Sequence, residues 1–315
     1  MNLKLKTSII KCEFPRGIHI GENKLWDAEM SISADTIFSA MCHEAKKLKS
    51  DGIEEIVRLV ENDNLLITDA MPFFQDELFL PKPFLTIRGE ENDSSLKKLF
   101  KRINYIPLSH WNKYIKGSSN PKEIIEILEM IDHSSIFTKI NHDIEGNHDL
   151  YRVGVRYFPE NSGLYFIIRY LENIEDMLDD LVYSLSYSGI GGKRRIGVGQ
   201  FEFTVEELPN TFENLINGDY KTWMNMSIGL PDRDELDVID SSLGYQLVKR
   251  SGFVTSERIG GQSLLPARKK DIFMLKSGSI FTKKFKGKLF DVSDGFEHPV
   301  YRYGKPIYIG VEAND

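Results

Sequence analysis

Apolar and polar positions alternate from the first residues onward. Leu3, Leu5, Thr7 and Ile9 interleave with Asn2, Lys4, Lys6 and Ser8, the period of two expected of a strand with one buried face, continuing toward Phe14 and Pro15. After a glycine-marked loop over 17–32 the period lengthens. Ile37, Ala40, Met41, Ala45 and Leu48 recur at helical spacing, which predicts a helix with Ser33 as its N-cap and Asp35 in its first turn. Short strands follow at 65–70 and 77–80 around a turn at 73–76, and Pro81-Lys82-Pro83 closes that unit.

The pattern is mixed from 86 to 148, with helical stretches near 96–102 and 122–131, and reads as an insertion. Strands at 150–158 and 163–171, joined by a turn at 159–162, lead into an amphipathic helix over 173–187 on which Ile174, Met177, Leu178, Leu181 and Leu185 share a face. A glycine loop over 189–199 then runs into a strand at 199–206, where Phe201, Phe203 and Val205 alternate with Glu202, Thr204 and Glu206. Beyond Pro209 the theme returns more faintly, with strands expected at 222–228, 245–254, 272–275 and 305–311 and a short helix at 232–239. The order predicts an α+β chain of two tandem ferredoxin-like domains, 1–208 and 209–315, the first carrying the insertion and the glycine loop.

Composition narrows the class. A chain of 315 residues with 41% hydrophobic content has material for two ordinary cores. No apolar run reaches the ~18 residues that cross a bilayer, and Met1-Asn2-Leu3-Lys4-Leu5-Lys6 has no apolar signal-peptide centre, so no membrane is implied and a cytoplasmic home is expected. Cys12 and Cys42 have neither disulfide nor zinc-ribbon spacing and read as core residues. The net charge of −7 hides a segregation of sign. From 249 to 288, eleven lysines and arginines face only Glu257 and Asp271, while from 201 to 240 ten acids face two bases. Such a basic patch holds a polyanion while an acidic surface elsewhere repels it or meets a basic partner.

The loop Gly189-Ile190-Gly191-Gly192-Lys193-Arg194-Arg195-Ile196-Gly197-Val198-Gly199 sharpens that inference. Glycines let a main chain take positive φ and approach a ligand closely, and three successive cations supply charge and forked donors for phosphate oxygens. The loop runs from helix to strand, the reverse of a nucleotide-binding glycine loop, and Lys193 precedes Arg194 where a P-loop needs Ser or Thr. A plain helix C-cap with a solvated basic tip is the bland alternative.

Candidate catalytic groups are few. His19, in Gly17-Ile18-His19-Ile20-Gly21, has the chemistry of a general base for a ribose 2′-hydroxyl, but it serves equally to contact RNA or to satisfy a loop carbonyl. His142-Asp143 and His148-Asp149 invite a metal reading, yet Gly146-Asn147 marks a turn rather than the rigid helix such ligands occupy, so an exposed polar hairpin tip is expected and no metal or other cofactor is implied. No Gly-x-Ser-x-Gly elbow is present.

Three stretches carry a family resemblance: Gly17-Ile18-His19-Ile20-Gly21 with Ser33-Ala34-Asp35-Thr36-Ile37-Phe38-Ser39-Ala40, the 189–199 loop, and His298-Pro299-Val300-Tyr301-Arg302-Tyr303-Gly304-Lys305-Pro306. With these in this order, the chain resembles the RAMP superfamily of CRISPR proteins over nearly its whole length, and within it the fourth subunits of the type III-A Csm effector. The resemblance implies two ferredoxin-like domains that grip the repeat-derived 5′ handle of a CRISPR RNA (crRNA), with no catalytic role. It implies a place between the large palm-domain signalling subunit and the adjacent backbone RAMP subunit. It also implies a hairpin thumb beside the handle, wedged into the duplex with target RNA and mapped here to 139–157 with His148 and Tyr151. The RNA-binding set expected on the first domain is His19, Gly21, Ser33, Thr36, Gly189, Gly191, Gly192, Lys193, Arg194, Arg195, Gly197 and Gly199. Lys249, Arg250, Phe253 and Arg258 join it on charge and on Phe253 as a stacking ring. The rival reading is a RAMP endoribonuclease that cuts repeat RNA with His19 as base and Lys193 or Arg194 stabilising the phosphate.

Overall fold

The computed structural model describes residues 4–21, 24–85, 94–131, 133–142, 148–254, 268–294 and 298–312. The chain begins with β1 (Leu5–Glu13), α1 (Ala34–Leu48), α2 (Gly52–Glu61), β2 (Leu65–Ile67), β3 (Met71–Phe74) and β4 (Glu77–Pro81). There follow α3 (Ser94–Arg102), β5 (Tyr105–Pro107), α4 (Trp111–Ile115), α5 (Pro121–Ile131), β6 (His133–His142), β7 (His148–Tyr157), β8 (Ser162–Leu171), α6 (Glu175–Ser188) and β9 (Glu202–Glu207). The main sheet is ordered β9-β1-β8-β3-β4-β5, with β2 also on β8. Its centre is antiparallel: Leu5 faces Leu171 and Cys12 faces Leu164, while β9 lies along the other side of β1.

β8 shows why the sheet sits inside the molecule. Its sequence is nearly all apolar because both faces are covered: Leu164, Phe166 and Ile168 pack with α1 and α6, whereas Tyr165 and Ile167 pack with α3–α5 and the C-terminal half. The expected helices at 33–48, 96–102, 122–131 and 173–187 are present. Helices α2 and α4 and strand β5 are additions to the sequence reading, and β5 makes the insertion an edge of the main sheet.

Strand 150–158 does not form a hairpin with 163–171. β7 instead pairs with β6 along its whole length, from His133 opposite Tyr157 to His142 opposite His148. The ribbon therefore begins at His133, six residues before the expected Lys139. The turn at Asp143, Gly146 and Asn147 lies outside the described residues.

The α1 stripe also differs at two places. Leu48 is exposed at the helix end, and Glu44 is fully buried, accepting from the hydroxyls of Ser184 and Ser188 at 2.7 and 2.9 Å and from Lys47. A polar seam thus joins α1 to α6, which hydrophobic periodicity does not detect.

The second half comprises α7 (Asn210–Asn217), β10 (Thr222–Asn225), β11 (Ser242–Gly244), β12 (Leu247–Arg250), β13 (Ile272–Leu275), β14 (Ile280–Phe281), β15 (Leu289–Asp291), β16 (Tyr301–Tyr303) and β17 (Tyr308–Val311). They form a β11-β14-β10-β17 sheet and the ribbons β12-β13 and β15-β16. The expected helix at 232–239 is a 3₁₀ turn with a reciprocal cap between Asp232 and Glu235. Among the described residues, no α-helix lies between the strands of this half.

Asp69 ties the halves. Its Oδ1 accepts the Ala34 N–H at the start of α1 at 2.7 Å and the Ile228 N–H at 3.0 Å. Ser33 occupies the N-cap position without a side-chain cap bond, and Asp69 serves that helix end instead. Burial pushes the Asp69 carboxyl up to about 6 against the pull of those two N–H groups. A raised carboxyl favours the folded state below its ordinary pKa, and that contribution is lost as pH rises through about 6. Asp69→Asn keeps an acceptor oxygen but cannot titrate. The difference between wild-type and variant unfolding free energies should therefore fall from ~pH 4 to ~pH 6 and level off above ~pH 7; a flat difference across a urea series would exclude this titration.

Candidate nucleic-acid interface

The glycine loop is bolted by its main chain and offers its side chains to solvent. The Ile190 N–H donates to the Gly199 carbonyl, closing the loop on itself at 2.9 Å. Gly192 N–H donates to the His19 carbonyl and Gly199 N–H to the Gly17 carbonyl, each at 2.9 Å, so the 17–21 segment lies directly beneath. That closeness requires glycine at 191 and 192. Gly191 has φ +87°, and a Cβ there would stand 2.6 Å from the His19 carbonyl oxygen; a Cβ on Gly192 would stand 2.5 Å from the His19 ring. Between them and Gly197 the cations rise on a 3₁₀ turn, Arg194–Ile196, entered through Lys193 in the left-handed region at φ 62°. Arg194 and Arg195 are exposed.

A third segment completes the assembly. The Ile18 and Arg156 backbones exchange hydrogen bonds of 2.8 Å, and Gly154 offers its carbonyl to His19 Nδ1 at 2.6 Å. A carbonyl only accepts, so Nδ1 is the donor in this contact. The ring is 6% exposed, wedged between the loop and β7. Lys193 Nζ lies 4.6 Å from the centre of the Tyr151 ring, a cation–π contact from loop to ribbon. Val198 joins Val153 and Val155 in a small apolar cluster beneath it. His148 is placed by its backbone pairing with His142, at the far end of the same ribbon.

The remaining expected residues divide. Gly21 and Ser33 line a cleft between the two halves. Thr36 Oγ1 accepts from Arg250 Nη2 at 3.0 Å, and the same guanidinium donates to Asp35 at 2.8 and 3.0 Å. Arg302 of the closing motif donates to Asp35 Oδ2, the oxygen that also accepts from Arg250 Nε. Arg250 is thus engaged in a buried triad rather than standing clear of the surface, and Asp35 is a charge partner rather than a helix-dipole acid. Burial drives the Asp35 carboxyl up, but Arg250 and Arg302 together outweigh it and hold the group below its ordinary value. Lys249 pairs with Asp271 at 2.8 Å, Phe253 is 63% exposed beside Arg268, and Arg258 lies outside the described residues.

The rest of the closing motif joins the halves as well. The Tyr303 hydroxyl bonds with the Ile67 backbone, and Lys305 Nζ donates to the Val60 carbonyl at 2.9 Å.

Several cations near the loop escaped the sequence reading as site residues. The His43 imidazole is pushed below its ordinary value by burial and then by Arg194 and Lys269, which places a loop cation and a second-half cation around one point of α1. The Arg16 guanidinium lies against Gly197. Arg16 precedes Gly17 by one residue and Lys269 belongs to the counted basic run, so charge marked both without placing them.

Comparison with known proteins follows these landmarks. Residues 11–202 match the RAMP superfamily and residues 218–311 the CRISPR Csm4 C-terminal domain. The chain is 32% identical over 308 residues to "CRISPR system Cms protein Csm4" of Mycobacterium tuberculosis, covering 98% of each chain. It is 31% identical to the protein of the same name from Streptococcus thermophilus, covering 94% of this chain and 96% of that one. Among solved structures, the fold is similar to the Csm3-Csm4 subcomplex of a type III-A CRISPR-Cas interference complex, with TM-score 0.62 and 19% identity over 96% of this chain and 98% of that one. It is similar also to a Csm1-Csm4 cassette in complex with cA4, with TM-score 0.63 and 18% identity over 98% and 100%.

Proposed function

This chain belongs to the Csm4 family within the RAMP superfamily of CRISPR proteins, and from that premise we propose that it is a non-catalytic, RNA-binding subunit of a type III-A effector. It holds the 5′ handle of crRNA and links the large palm-domain signalling subunit to the adjacent backbone RAMP subunit. Complexes of related chains with Csm1 and with Csm3 support the two protein partners. The observation that carries the RNA reading is the glycine loop: its main chain is fastened to 17–21, so Lys193, Arg194 and Arg195 present a fixed cluster of charge.

In this reading His19, Gly21, Ser33 and Thr36 shape the floor of the site, and Lys249, Phe253 and Arg258 extend it from the second half. The β6-β7 ribbon, with His148 and Tyr151, is the thumb beside handle and target RNA. Two ferredoxin-like domains meeting near residue 208 and a cytoplasmic setting complete it; no helix among the described residues is long and apolar enough to cross a membrane. The test is to purify the tagged chain from its host at low salt and sequence the 5′ ends of the RNA that accompanies it. One constant leader ahead of variable sequence supports handle binding, and random ends or no RNA overturn it.

The endoribonuclease alternative turns on His19. Its imidazole is buried, and one nitrogen is spent on Gly154, which suits a ring that fastens the loop better than one that meets a 2′-hydroxyl. His19→Ala should cost about 1–3 kcal/mol of stability through the lost hydrogen bond and the space left behind, while the 5′ ends of the bound RNA stay the same. Accumulation of uncut repeat RNA in the variant would establish catalysis instead.

A further inference from the structure

Helix α6 ends at Ser188, one residue before the basic glycine loop begins, so whatever fixes Ser188 also aims the loop. The Glu44 carboxylate reaches it from α1. That side chain is fully buried, and its Oε2 accepts from the Ser184 hydroxyl at 2.7 Å and from the Ser188 hydroxyl at 2.9 Å. Its Oε1 accepts from Lys47 Nζ at 2.7 Å, and the same ammonium donates to Ser188 Oγ at 3.0 Å. Glu44, Lys47 and Ser188 thus close a ring of hydrogen bonds on the last residue of α6, with the Ser188 hydroxyl both giving and taking. Burial works to raise the Glu44 carboxyl, but the bonds from Lys47, Ser184 and Ser188 outweigh it and hold the group below its ordinary value.

Packing alone does not call for a charge here. Its neighbours on the buried stripe of α1 are Ile37, Met41 and Ala45, and a carboxylate among them costs desolvation that apolar side chains avoid. What the carboxylate adds is direction, because hydrogen bonds fix angle and distance where apolar contact does not. The far end of the loop is tied to the same helix turn. The Gln200 amide donates to the Tyr187 carbonyl at 2.9 Å and the Phe201 N–H to the Ser186 carbonyl at 3.1 Å. Both ends of the loop therefore hang from the last turn of α6, and Glu44 fastens that turn to α1.

We infer that Glu44 is a positioning residue for polyanion binding: through Ser188 it sets the direction in which the glycine loop leaves α6, and so where Lys193, Arg194 and Arg195 meet phosphate. The inference rests on the RNA-binding reading above. The two serines separate this role from a purely structural one. Both donate to the same oxygen, but Ser184 lies a full turn inside the helix, where helical backbone bonds hold the chain. Ser188 is the last helical residue, and Gly189 after it turns away at φ +72°.

The experiment compares the full chain with Ser184→Ala, Ser188→Ala and Ser188→Thr, by urea unfolding and by binding of a labelled single-stranded RNA carrying the 5′ leader recovered with it. The two alanine variants should lose similar stability, each giving up one hydroxyl bond to Glu44. Ser188→Ala should also weaken RNA about fivefold, whereas Ser184→Ala should stay within about twofold of wild type. Ser188→Thr keeps the hydroxyl and should restore wild-type affinity. Glu44→Ala should weaken RNA at least as much as Ser188→Ala, and Glu44→Gln, whose amide oxygen still accepts from Ser188, should recover most of that loss. Absence of a loss specific to Ser188→Ala, while Lys193→Glu with Arg194→Glu still weakens RNA, overturns the positioning role and leaves Glu44 as a bond between two helices. Failure of Ser188→Thr to restore affinity overturns it as well. Absence of RNA binding by the wild-type chain overturns the RNA reading and the positioning role with it.

Discussion

Replacing Asp35 with alanine is expected to destabilise the chain by about 3–5 kcal/mol, the cost of leaving buried charge without its partner. The Asp35 side chain is 1% exposed, and it neutralises Arg302 at 7% and Arg250 at 22% exposure. The carboxylate sits on the first turn of α1, Arg250 at the end of β12 and Arg302 in β16, so the loss unfastens two second-half ribbons from the first-half helix. Because this carboxyl is held below its ordinary value, its contribution is present at neutral pH and is lost as pH falls through its folded-state pKa. Urea unfolding at neutral pH measures the loss, and the gap between wild type and variant should narrow once pH falls below the ordinary carboxylate range. A loss below about 1 kcal/mol would reduce the triad to an exposed-pair effect. Replacing all three residues by apolar ones of similar size should recover most of the stability, because the penalty belongs to the unpaired charges and not to the burial of the site.

The second large effect is expected in RNA binding. Lys193→Glu with Arg194→Glu should weaken single-stranded RNA about 100-fold or more at low salt and flatten the logarithmic salt dependence by about 1.4, two phosphate contacts at the single-strand slope. Neither residue forms an ion pair among the described residues, and the loop is held by backbone bonds that the substitutions leave in place. Arg194 helps hold the His43 imidazole low, so the variant's His43 pKa should rise, readable by NMR titration. Equal RNA retention by wild type and variant across the salt series would leave the loop as a basic helix cap with no ligand.

Much of this was legible in the chain because local patterns report local needs. The alternation along β1, the helical spacing through Leu178, Leu181 and Leu185, and the five glycines after α6 each reflect the environment of a few consecutive residues. The reading failed where the partner was distant. Periodicity does not mark the strand at His133–His142, which carries serines and histidines amid its apolar positions and whose pairing is set by β7. α2 lay unnoticed in the connection from α1 to β2, although Ile56, Val57 and Val60 of that helix are buried.

Determined by the sequence itself were the basic glycine loop, the segregation of charge along the chain and the order of β1, α1, β8, α6 and β9. These follow from residue type and spacing, which steric freedom, charge and hydrophobic periodicity read directly. Only the tertiary structure decided that Asp35 meets Arg250 and Arg302, that Asp69 serves a helix end and Ile228 together, and that His19 lies beneath Gly192. Each of those pairings joins residues that are remote in sequence, and nothing in a single residue's type names its partner. The energy that selects the partner arises only once folding removes both groups from water, where a charge or N–H without a partner is too costly to keep.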